Sequence, residues 1–448
     1  MIDLVEASDL VLRRAHPVAD AAEAVAVGMD HLEVGVRLGR TEKLKRSRER
    51  RLAVRLFVKG ASAVISSADL SAASLETLVA ECAKLARLTA SDPFAGLPDL
   101  GAEPPPRDDL ELFDPAAEQV TADEAIALAR SAEEAALAVD ARLTNSEGAE
   151  FSVTARQLVY ATSRGFRGDQ RASSFSLSVV PVARSDGSMQ RDYWYTASRH
   201  RDGLDDASSV GVTAARRALR RLDARSVTTC RVPIIFDPET ASSLLGHLAG
   251  ALSGSSVYRG MSFLRDRVGT RIAPEAVRII DDPLRPRGLA SRPFDAEGLT
   301  SRTNVVVEGG VLQTFLLDSY SARKLGLRST ASAVRSLGES PVAGATNLFL
   351  APGSTSPDDI VASVRSGLYV TELIGSGVNP VTGDYSRGAA GLWIENGALA
   401  FPVEGITIAG NLLEMLASIE AIGNDLAFRS NLSAPTLMIA RMTVAGAA

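Results

Sequence analysis

The chain has 448 residues, of which 46% are hydrophobic and 23% charged, the composition of a globular protein with a sizeable core. Its formal net charge of −6 argues against general affinity for nucleic acid, and no stretch approaches 18 apolar residues, so we expect neither a nucleic-acid partner nor a membrane span. Cys82 and Cys230 alone cannot build a disulfide framework, and the first residues lack a signal-peptide pattern, so the cytoplasm is the expected location.

The first half of the chain has the pattern of helices packed on an antiparallel sheet. The elements expected before residue 225 are, in chain order, a helix at 3–14, strands within 21–67, a helix at 73–89, a proline-rich loop at 92–115, a helix at about 121–139, strands around residue 186 and an arginine-rich helix at 208–222. Thr121 and Glu124 form a capping box at the start of one helix, and Asp186-Gly187 is a hairpin signal.

The second half contains more glycine and more hairpin signals. Residues 305–312 and residues 392–399 each predict a hairpin, the second with an Asn-Gly turn. Because helices and strands do not alternate regularly, we predict an α+β protein rather than a parallel α/β fold. We place the domain boundary near residue 225, which gives an N-terminal α+β domain at 1–225 and a β-rich C-terminal domain at 226–448.

One predicted helix bears on chemistry. An Asp-Pro pair supplies a favourable N-cap and first position for a helix at about 238–252, with His247 in its last half. A zinc peptidase helix needs a second histidine about one turn after the first, and a glutamate to activate water. Here Leu248 follows His247, and Ala251 and Leu252 occupy the next turn. If this helix descends from a metal site, that site is lost.

His247 therefore has two interpretations. As a metal ligand it needs partners, and the other histidines, His16, His31 and His200, are scattered through the first half without ligand spacing. No cysteine follows residue 230. We favour a packed or interface histidine at a degenerate metal-helix position, and we predict no catalytic and no metal-binding residue in this chain.

The glycine-dense segment 375–391 is a second candidate site. Its central residues are Gly383, Asp384, Tyr385, Ser386, Arg387 and Gly388. Glycine lets a backbone approach a ligand closely, so this segment could cradle an anion, line a peptide groove or form an interface. The alternative is a bulged strand and turn that holds Asp384 and Arg387 together, and the sequence favours neither. The segment lacks the Gly-Lys-Ser/Thr ending of a P-loop.

A basic cluster ends the arginine-rich helix at 208–222. Its members are Arg216, Arg217, Arg220, Arg221 and Arg225. A solvated helix end is the favoured explanation, since positive charge also suits the C-terminal end of a helix dipole. Nucleic-acid binding is the less favoured alternative. No serine lies in a Gly-x-Ser-x-Gly elbow, so nothing supports a serine hydrolase.

Several long motifs, spread over nearly the whole chain, resemble those of the TldD/PmbA metallopeptidase family. The matching segments include Gly383-Asp384-Tyr385-Ser386-Arg387-Gly388-Ala389-Ala390-Gly391, Gly288-Leu289-Ala290-Ser291, Pro293-Phe294-Asp295, Ser319-Tyr320-Ser321-Ala322-Arg323-Lys324-Leu325, Gly423-Asn424-Asp425 and Asn145-Ser146-Glu147-Gly148. Motifs of this length and specificity do not arise by chance.

The resemblance implies a subunit of a cytoplasmic zinc metallopeptidase. The catalytic members, TldD, carry His-Glu-three residues-His on the equivalent helix and a cysteine ligand near the C-terminus. In this chain His247 aligns with the first histidine, whereas Leu248 and Leu252 stand at the glutamate and the second histidine, and residues 429–436 contain no cysteine. The chain is thus most similar to the non-catalytic TldE (PmbA) members, and no catalytic role carries over.

The resemblance implies that such a subunit forms a heterodimer with a TldD-type catalytic subunit and acts on unfolded peptides and small peptide precursors. Zinc is then expected in the partner, and no cofactor is expected in this chain. Two alternatives stay open. One is a regulatory binding protein, because the family has been described as a modulator of DNA gyrase. The other is an independent peptidase with an unrecognised site, for instance around Asp384 and Arg387.

Overall fold

The computed structural model describes residues 3–99 and 109–446, so residues 100–108 of the predicted proline-rich loop lie outside the described residues. The mixture of helices and largely antiparallel sheets confirms the predicted α+β class. No helix in the described part of the chain is long and apolar enough to cross a membrane.

The first half contains four α-helices and seven strands among its described residues, besides two short 3-10 helices at Pro115–Glu118 and Arg201–Gly203. In chain order they are α1 (Leu4–Ala15), β1 (Ala21–Arg37), β2 (Arg40–Val58), β3 (Ala61–Ser67), α2 (Ala72–Leu88), α3 (Ala122–Leu137), β4 (Leu143–Thr162), β5 (Arg167–Ser185), β6 (Ser188–Arg191), β7 (Trp194–Ser198) and α4 (Ala207–Leu219). The capping box at the start of α3 is confirmed, with Thr121 and Glu124 bonding each other's backbone.

The described part of the second half has shorter elements. They are β8 (Cys230–Phe236), α5 (Pro238–Leu252), α6 (Gly254–Tyr258), β9 (Ile279–Asp281), β10 (Asn304–Glu308), β11 (Val311–Leu312), α7 (Ser319–Leu325), β12 (Ala333–Val334), β13 (Val342–Ala343), β14 (Leu348–Leu350), α8 (Pro357–Ala362), β15 (Ser366–Ile374), β16 (Asp384–Glu395), β17 (Ala398–Asn411), α9 (Leu412–Ala417), β18 (Ile419–Ile422), β19 (Leu432–Ser433) and β20 (Leu437–Ala445). The two predicted hairpins are confirmed as β10–β11 and β16–β17.

One face of the first sheet carries the helices. The strand order is β3-β2-β1-β4-β5-β6, and β7 also pairs with β5. Because side chains alternate along a strand, even-numbered β1 residues share one face. There Ala24 packs in the cluster built with α1 and α2, and Val34 packs in the cluster built with α3 and α4. The opposite face turns toward the second half of the chain, where Val25 and Tyr160 pack with Phe294.

The second half is organised around a six-stranded sheet. Its order is β17-β16-β15-β8-β20-β18, and β17 also pairs with β20, so five of its strands close into a ring. Side chains from β8, β15, β16, β17 and β20 form the largest core cluster together with α5. A five-stranded sheet, β11-β10-β9-β14-β19, and the β12–β13 pair complete this half among the described residues. This packing fixes the position of α5.

Buried charges at the end of α4 join the two halves. The Arg217 guanidinium lies 3.4 Å from Asp192 and 3.3 Å from Asp237, and all three side chains are buried. Arg221 pairs with Glu372 of β15. The predicted solvated helix end is therefore wrong for these two arginines, because their charge is compensated by acids on neighbouring elements.

A second buried network crosses between the halves. Glu23 of β1 lies 2.9 Å from Arg335 and 3.7 Å from Arg55, and it accepts a hydrogen bond of 2.6 Å from the Tyr160 hydroxyl. Because Glu23 is only 1% exposed, its charge depends on these partners. The division into domains at residue 225 stays a prediction.

Candidate functional site

The N-terminal cap of α5 sets the orientation of His247. The Asp237 carboxylate accepts hydrogen bonds from the Thr240 amide at 2.9 Å and from the Thr240 hydroxyl at 2.8 Å. Pro238 occupies the first turn, where its missing N–H costs nothing. The predicted helix at 238–252 is confirmed. It places His247 in its third turn, on the side that faces β16.

Within residues 3–99 and 109–446, no hydrogen-bond partner orients His247 as a ligand. Its Nε2 atom is buried without a partner among the described residues. The ring lies edge-on to Tyr385, with 6.1 Å between the centroids and an interplanar angle of 79°. Burial, reinforced by the positive charge of Arg387, lowers the pKa of His247. The imidazole is therefore neutral at pH 7 and packs against an aromatic ring.

The positions that follow His247 belong to the core. Leu248 is 2% exposed, Ala251 1% and Leu252 fully buried. Leu248 also lines a cavity of about 30 Å³ whose walls are apolar side chains, among them Leu244 and Phe263. These positions therefore carry hydrocarbon that excludes water, whereas a zinc peptidase helix needs a carboxylate and a second imidazole there.

The described residues do not fit a zinc ion. Within residues 3–99 and 109–446, no three His, Cys, Asp or Glu side chains are grouped so that they could hold a metal. His16 ends α1, His31 contacts the Thr154 hydroxyl at 2.9 Å, and His200 contacts a backbone carbonyl at 2.8 Å. None of these side chains approaches His247 as a co-ligand, and a catalytic zinc site needs three protein ligands.

The glycine-dense segment enters β16 beside α5. Gly383 has φ +81°, a left-handed conformation that glycine adopts without strain. Asp384 accepts a hydrogen bond of 2.6 Å from the Thr382 hydroxyl and one of 3.3 Å from the Asn411 amide. It makes no ion pair with Arg387 among the described residues, so the proposed Asp384–Arg387 contact is not present.

Side chains of this segment alternate between solvent and core. Asp384 and Ser386 are exposed, whereas Tyr385 is 1% exposed. All of β16 runs beside β17, and from Gly388 onward it also pairs with β15. Ser386 also donates its amide to the Gly377 carbonyl at 2.7 Å. On the side away from β17, the start of β16 is therefore paired with residues 377–379, as the hydrogen bond from the Asn379 amide to the Asp384 carbonyl and the bridge between Val378 and Tyr385 also show.

Tyr385 and Arg387 share the space next to His247. Arg387 donates to the Ser243 hydroxyl at 3.5 Å and to the Leu373 carbonyl at 3.3 Å, but its Nε has no partner among the described residues. The Tyr385 hydroxyl likewise has no partner there, and burial raises the pKa of Tyr385 to about 12. In the part of the chain that the structure describes, the cluster holds hydrogen-bonding groups and the positive charge of Arg387, but no carboxylate that could act as a general base.

The sequence interpretation missed a polar and aromatic cluster at the N-terminal end of α5. The Tyr195 hydroxyl donates to Glu239 at 3.1 Å, and Tyr193 stacks on Tyr195 with centroids 6.2 Å apart. Burial raises the pKa of Glu239. Arg429 lies over the Trp194 ring at 4.9 Å. The Tyr-Trp-Tyr run was the available signal, but only the fold brings it to α5.

Family models agree with these motifs over most of the chain. Residues 22–86 match domain 1 of the PmbA/TldA metallopeptidases, residues 115–222 match the central domain, and residues 229–446 match the C-terminal domain.

Individual relatives cover nearly the full length. The metalloprotease PmbA of Escherichia coli is 40% identical over 446 residues, which is 99% of this chain and 96% of the relative. A Bacteroides thetaiotaomicron protein described as a candidate modulator of DNA gyrase has a TM-score of 0.91 at 27% identity, with 99% of each chain covered. TldE of Thermococcus kodakarensis shares the fold, with a TM-score of 0.87 at 21% identity, covering 98% of this chain and 100% of TldE. The chain therefore belongs to the PmbA/TldD metallopeptidase family.

Proposed function

We propose that this chain is the non-catalytic subunit of a zinc metallopeptidase that acts on unfolded peptides and small peptide precursors. The observation that carries the proposal is the state of α5. His247 is neutral and packed against Tyr385, and the next two positions that would need polar catalytic groups, Leu248 and Leu252, are buried in the core. Without a second ligand and a base, no zinc-bound water can be activated here.

The proposed partner is a TldD-type catalytic subunit, which supplies the zinc, the glutamate and both histidines. The two chains form a heterodimer in the cytoplasm, and a stable pair should bury more than about 1,000 Å². Since the backbone of β16 is already paired, any contact it makes with peptide or partner falls on exposed side chains such as Asp384 and Ser386.

The experiment compares three preparations: this chain alone, a TldD-type subunit alone, and the two co-expressed. Each is assayed for cleavage of an unstructured peptide with and without a metal chelator, and its zinc content is measured by elemental analysis. We expect zinc and chelator-sensitive cleavage only when the catalytic subunit is present. His247→Ala in this chain should leave the zinc content of the pair unchanged, because this imidazole is not a ligand.

Three outcomes would contradict the proposal. Stoichiometric zinc in this chain alone, lost in His247→Ala, would mean that the helix still binds metal. Cleavage by this chain alone that resists chelators would indicate an independent peptidase with another site. Stable chains that never associate with a TldD-type subunit would favour a regulatory binding protein.

A further inference from the structure

A cavity of about 270 Å³ lies between the helix-free face of the first sheet and the second half of the chain. One wall is formed by β1, β4 and β5, and the other by residues 289–296 and 334–337. The cavity is far larger than the roughly 10–15 Å³ that one water molecule needs. It is distinct from α5 and from the cluster around His247.

Positive side chains dominate the polar lining. Four arginines line the cavity, namely Arg156, Arg199, Arg292 and Arg335. Only Arg335 forms an ion pair, with Glu23, among the described residues. Asp295 is the one carboxylate in the lining, and backbone amides of neighbouring residues already occupy both of its oxygens. The lining therefore carries more positive charge than its acids compensate.

The other three arginines either donate hydrogen bonds to neutral carbonyl groups or have no partner among the described residues. Arg199 donates to three backbone carbonyls, which fix its guanidinium without neutralising it. Arg292 donates one hydrogen bond of 2.6 Å to the Ala333 carbonyl, while its Nε and Nη2 are buried without a partner among the described residues. Arg156 is exposed and makes no hydrogen bond or ion pair within the described part of the chain. Unpaired guanidinium groups are costly to bury and are suited to bind oxyanions.

The electrostatics agree with the geometry. Burial lowers the pKa of Arg292, and it lowers the pKa of Arg199 to about 10. An arginine paired with a carboxylate is shifted the other way, as the raised pKa of Arg335 beside Glu23 illustrates. The charges of Asp295 and Asp281 oppose the effect of burial on Arg292, but neither carboxylate forms an ion pair with it among the described residues, so a ligand anion could still bind there.

Apart from Tyr160, Gln170 and Ser291, the rest of the lining is apolar. Val25, Leu158, Phe294 and Leu337 face the same space as the arginines. A bare inorganic ion would leave these side chains without a contact, whereas a carboxylic acid with a hydrocarbon body would satisfy both kinds of wall. We propose that this cavity binds a small carboxylate ligand, with its acid group on Arg156 and Arg292 and its apolar body on Val25, Leu158 and Phe294. The proposal goes beyond the subunit role and applies to the chain on its own.

The test uses isothermal titration calorimetry on the full chain without a partner. The three probes are N-acetylleucine, its amide N-acetylleucinamide, and inorganic phosphate. The first two have nearly the same shape, but only N-acetylleucine carries a negative charge and two acceptor oxygens, so their comparison isolates the carboxylate contact. We expect N-acetylleucine to bind and the amide and phosphate to give no measurable heat at the same millimolar concentration. Added salt should weaken the binding.

Two variants and one control locate the site. Arg156→Gln and Arg292→Met should each weaken N-acetylleucine binding about tenfold or more, the effect of losing one charged hydrogen bond. Arg184→Gln removes an exposed charge elsewhere on β5 and should leave the affinity unchanged. Arg156 is exposed, so its replacement keeps the test valid if Arg292→Met fails to fold.

Several results would overturn the proposal. If N-acetylleucine does not bind, the proposed carboxylate site does not exist. If the acid and the amide bind equally well, the cavity recognises only the apolar part of the ligand. Binding of phosphate in preference to the carboxylate would assign a different ligand class. An unchanged affinity in Arg156→Gln would place the bound acid elsewhere. None of these results depends on a catalytic partner, so they leave the proposed subunit role to its own test.

Discussion

Leu248→Glu tests whether the face of α5 that carries Leu248 is part of the apolar core. The substitution supplies the carboxylate that catalytic relatives are expected to carry at this position. Leu248 is 2% exposed and borders an apolar cavity of about 30 Å³, so the new group meets hydrocarbon on its open side. Burial of this kind raises the pKa of a carboxyl group by about 3–5 units.

The magnitude follows from the protonation that folding then requires. A glutamate in the unfolded chain has a pKa of about 4.3, and one unit corresponds to about 1.36 kcal/mol, so keeping the group neutral at pH 7 costs about 4 kcal/mol. Because the folded pKa is raised, this cost is absent below about pH 4 and grows as the pH rises through the unfolded pKa. The cost stops growing once the pH passes the folded pKa, at about 8.

The assay is urea denaturation of Leu248→Glu and Leu248→Gln at pH 4 and pH 7. Glutamine matches glutamate in size and removes the same leucine packing, but it does not ionise, so the difference between the variants isolates the charge. We expect nearly equal free energies of unfolding at pH 4 and a deficit of about 4 kcal/mol for glutamate at pH 7. If the glutamate variant is folded at pH 4 but unfolded at pH 7, this outcome also supports the prediction, because the cost of the charge then exceeds the stability of the fold. Equal stabilities at pH 7 would refute the reasoning, since the carboxylate would then have found a cation or water.

Three further predictions concern the framework. Glu23→Gln removes the charge that compensates Arg335 and should lower the free energy of unfolding in urea titrations by about 3–5 kcal/mol; a loss below about 1 kcal/mol would contradict the buried pairing. Burial, with Asp295 nearby, raises the pKa of Glu297 to about 8, so this group costs the folded chain stability as the pH rises from 4.5 toward 8. Glu297→Gln should therefore gain stability over wild type across that window, and a pH-independent difference would refute the assignment. Gly211→Ala places a Cβ 2.2 Å from the Ala132 carbonyl oxygen and should lower the melting temperature, whereas the control Gly250→Ala meets nothing within 4 Å and should be neutral or stabilising by up to about 1 kcal/mol.

Local chemistry accounts for what the sequence predicted well. The capping box at Thr121, the Asn-Gly turn before β17 and the N-cap of α5 depend on residues within a few positions of each other. Each of these signals has a fixed geometric requirement, so its outcome does not depend on the rest of the chain. The α+β class followed from the order of such elements.

Contacts between segments that are distant in the chain could not be predicted from the sequence. A solvated end for α4 is the ordinary expectation for an arginine cluster, yet Arg217 is buried because Asp192 and Asp237 arrive from other elements. The cavity of about 270 Å³ also depends on contacts between distant segments. Arg156 and Arg292, which line it, are separated by 136 positions in the sequence and come together only when the second half packs on the first sheet. Charge compensation of this kind depends on sheet order and register, which no local pattern encodes.

The burial of α5 depends both on a local sequence pattern and on contacts with distant segments. Leu244, Leu248 and Leu252 recur every four residues, which is the spacing of one helical face, so the sequence itself favours a buried stripe. The sequence does not indicate what this stripe packs against. In the structure the leucines pack against the closed sheet, and His247, which directly precedes Leu248, packs against Tyr385. Burying a leucine contributes about 1.5–3 kcal/mol relative to leaving it exposed, whereas an unpaired carboxylate at the same depth is destabilising. Leucine at position 248 or 252 therefore stabilises the fold, whereas an unpaired carboxylate or imidazole there would have to be compensated by a metal ion or by another charged group.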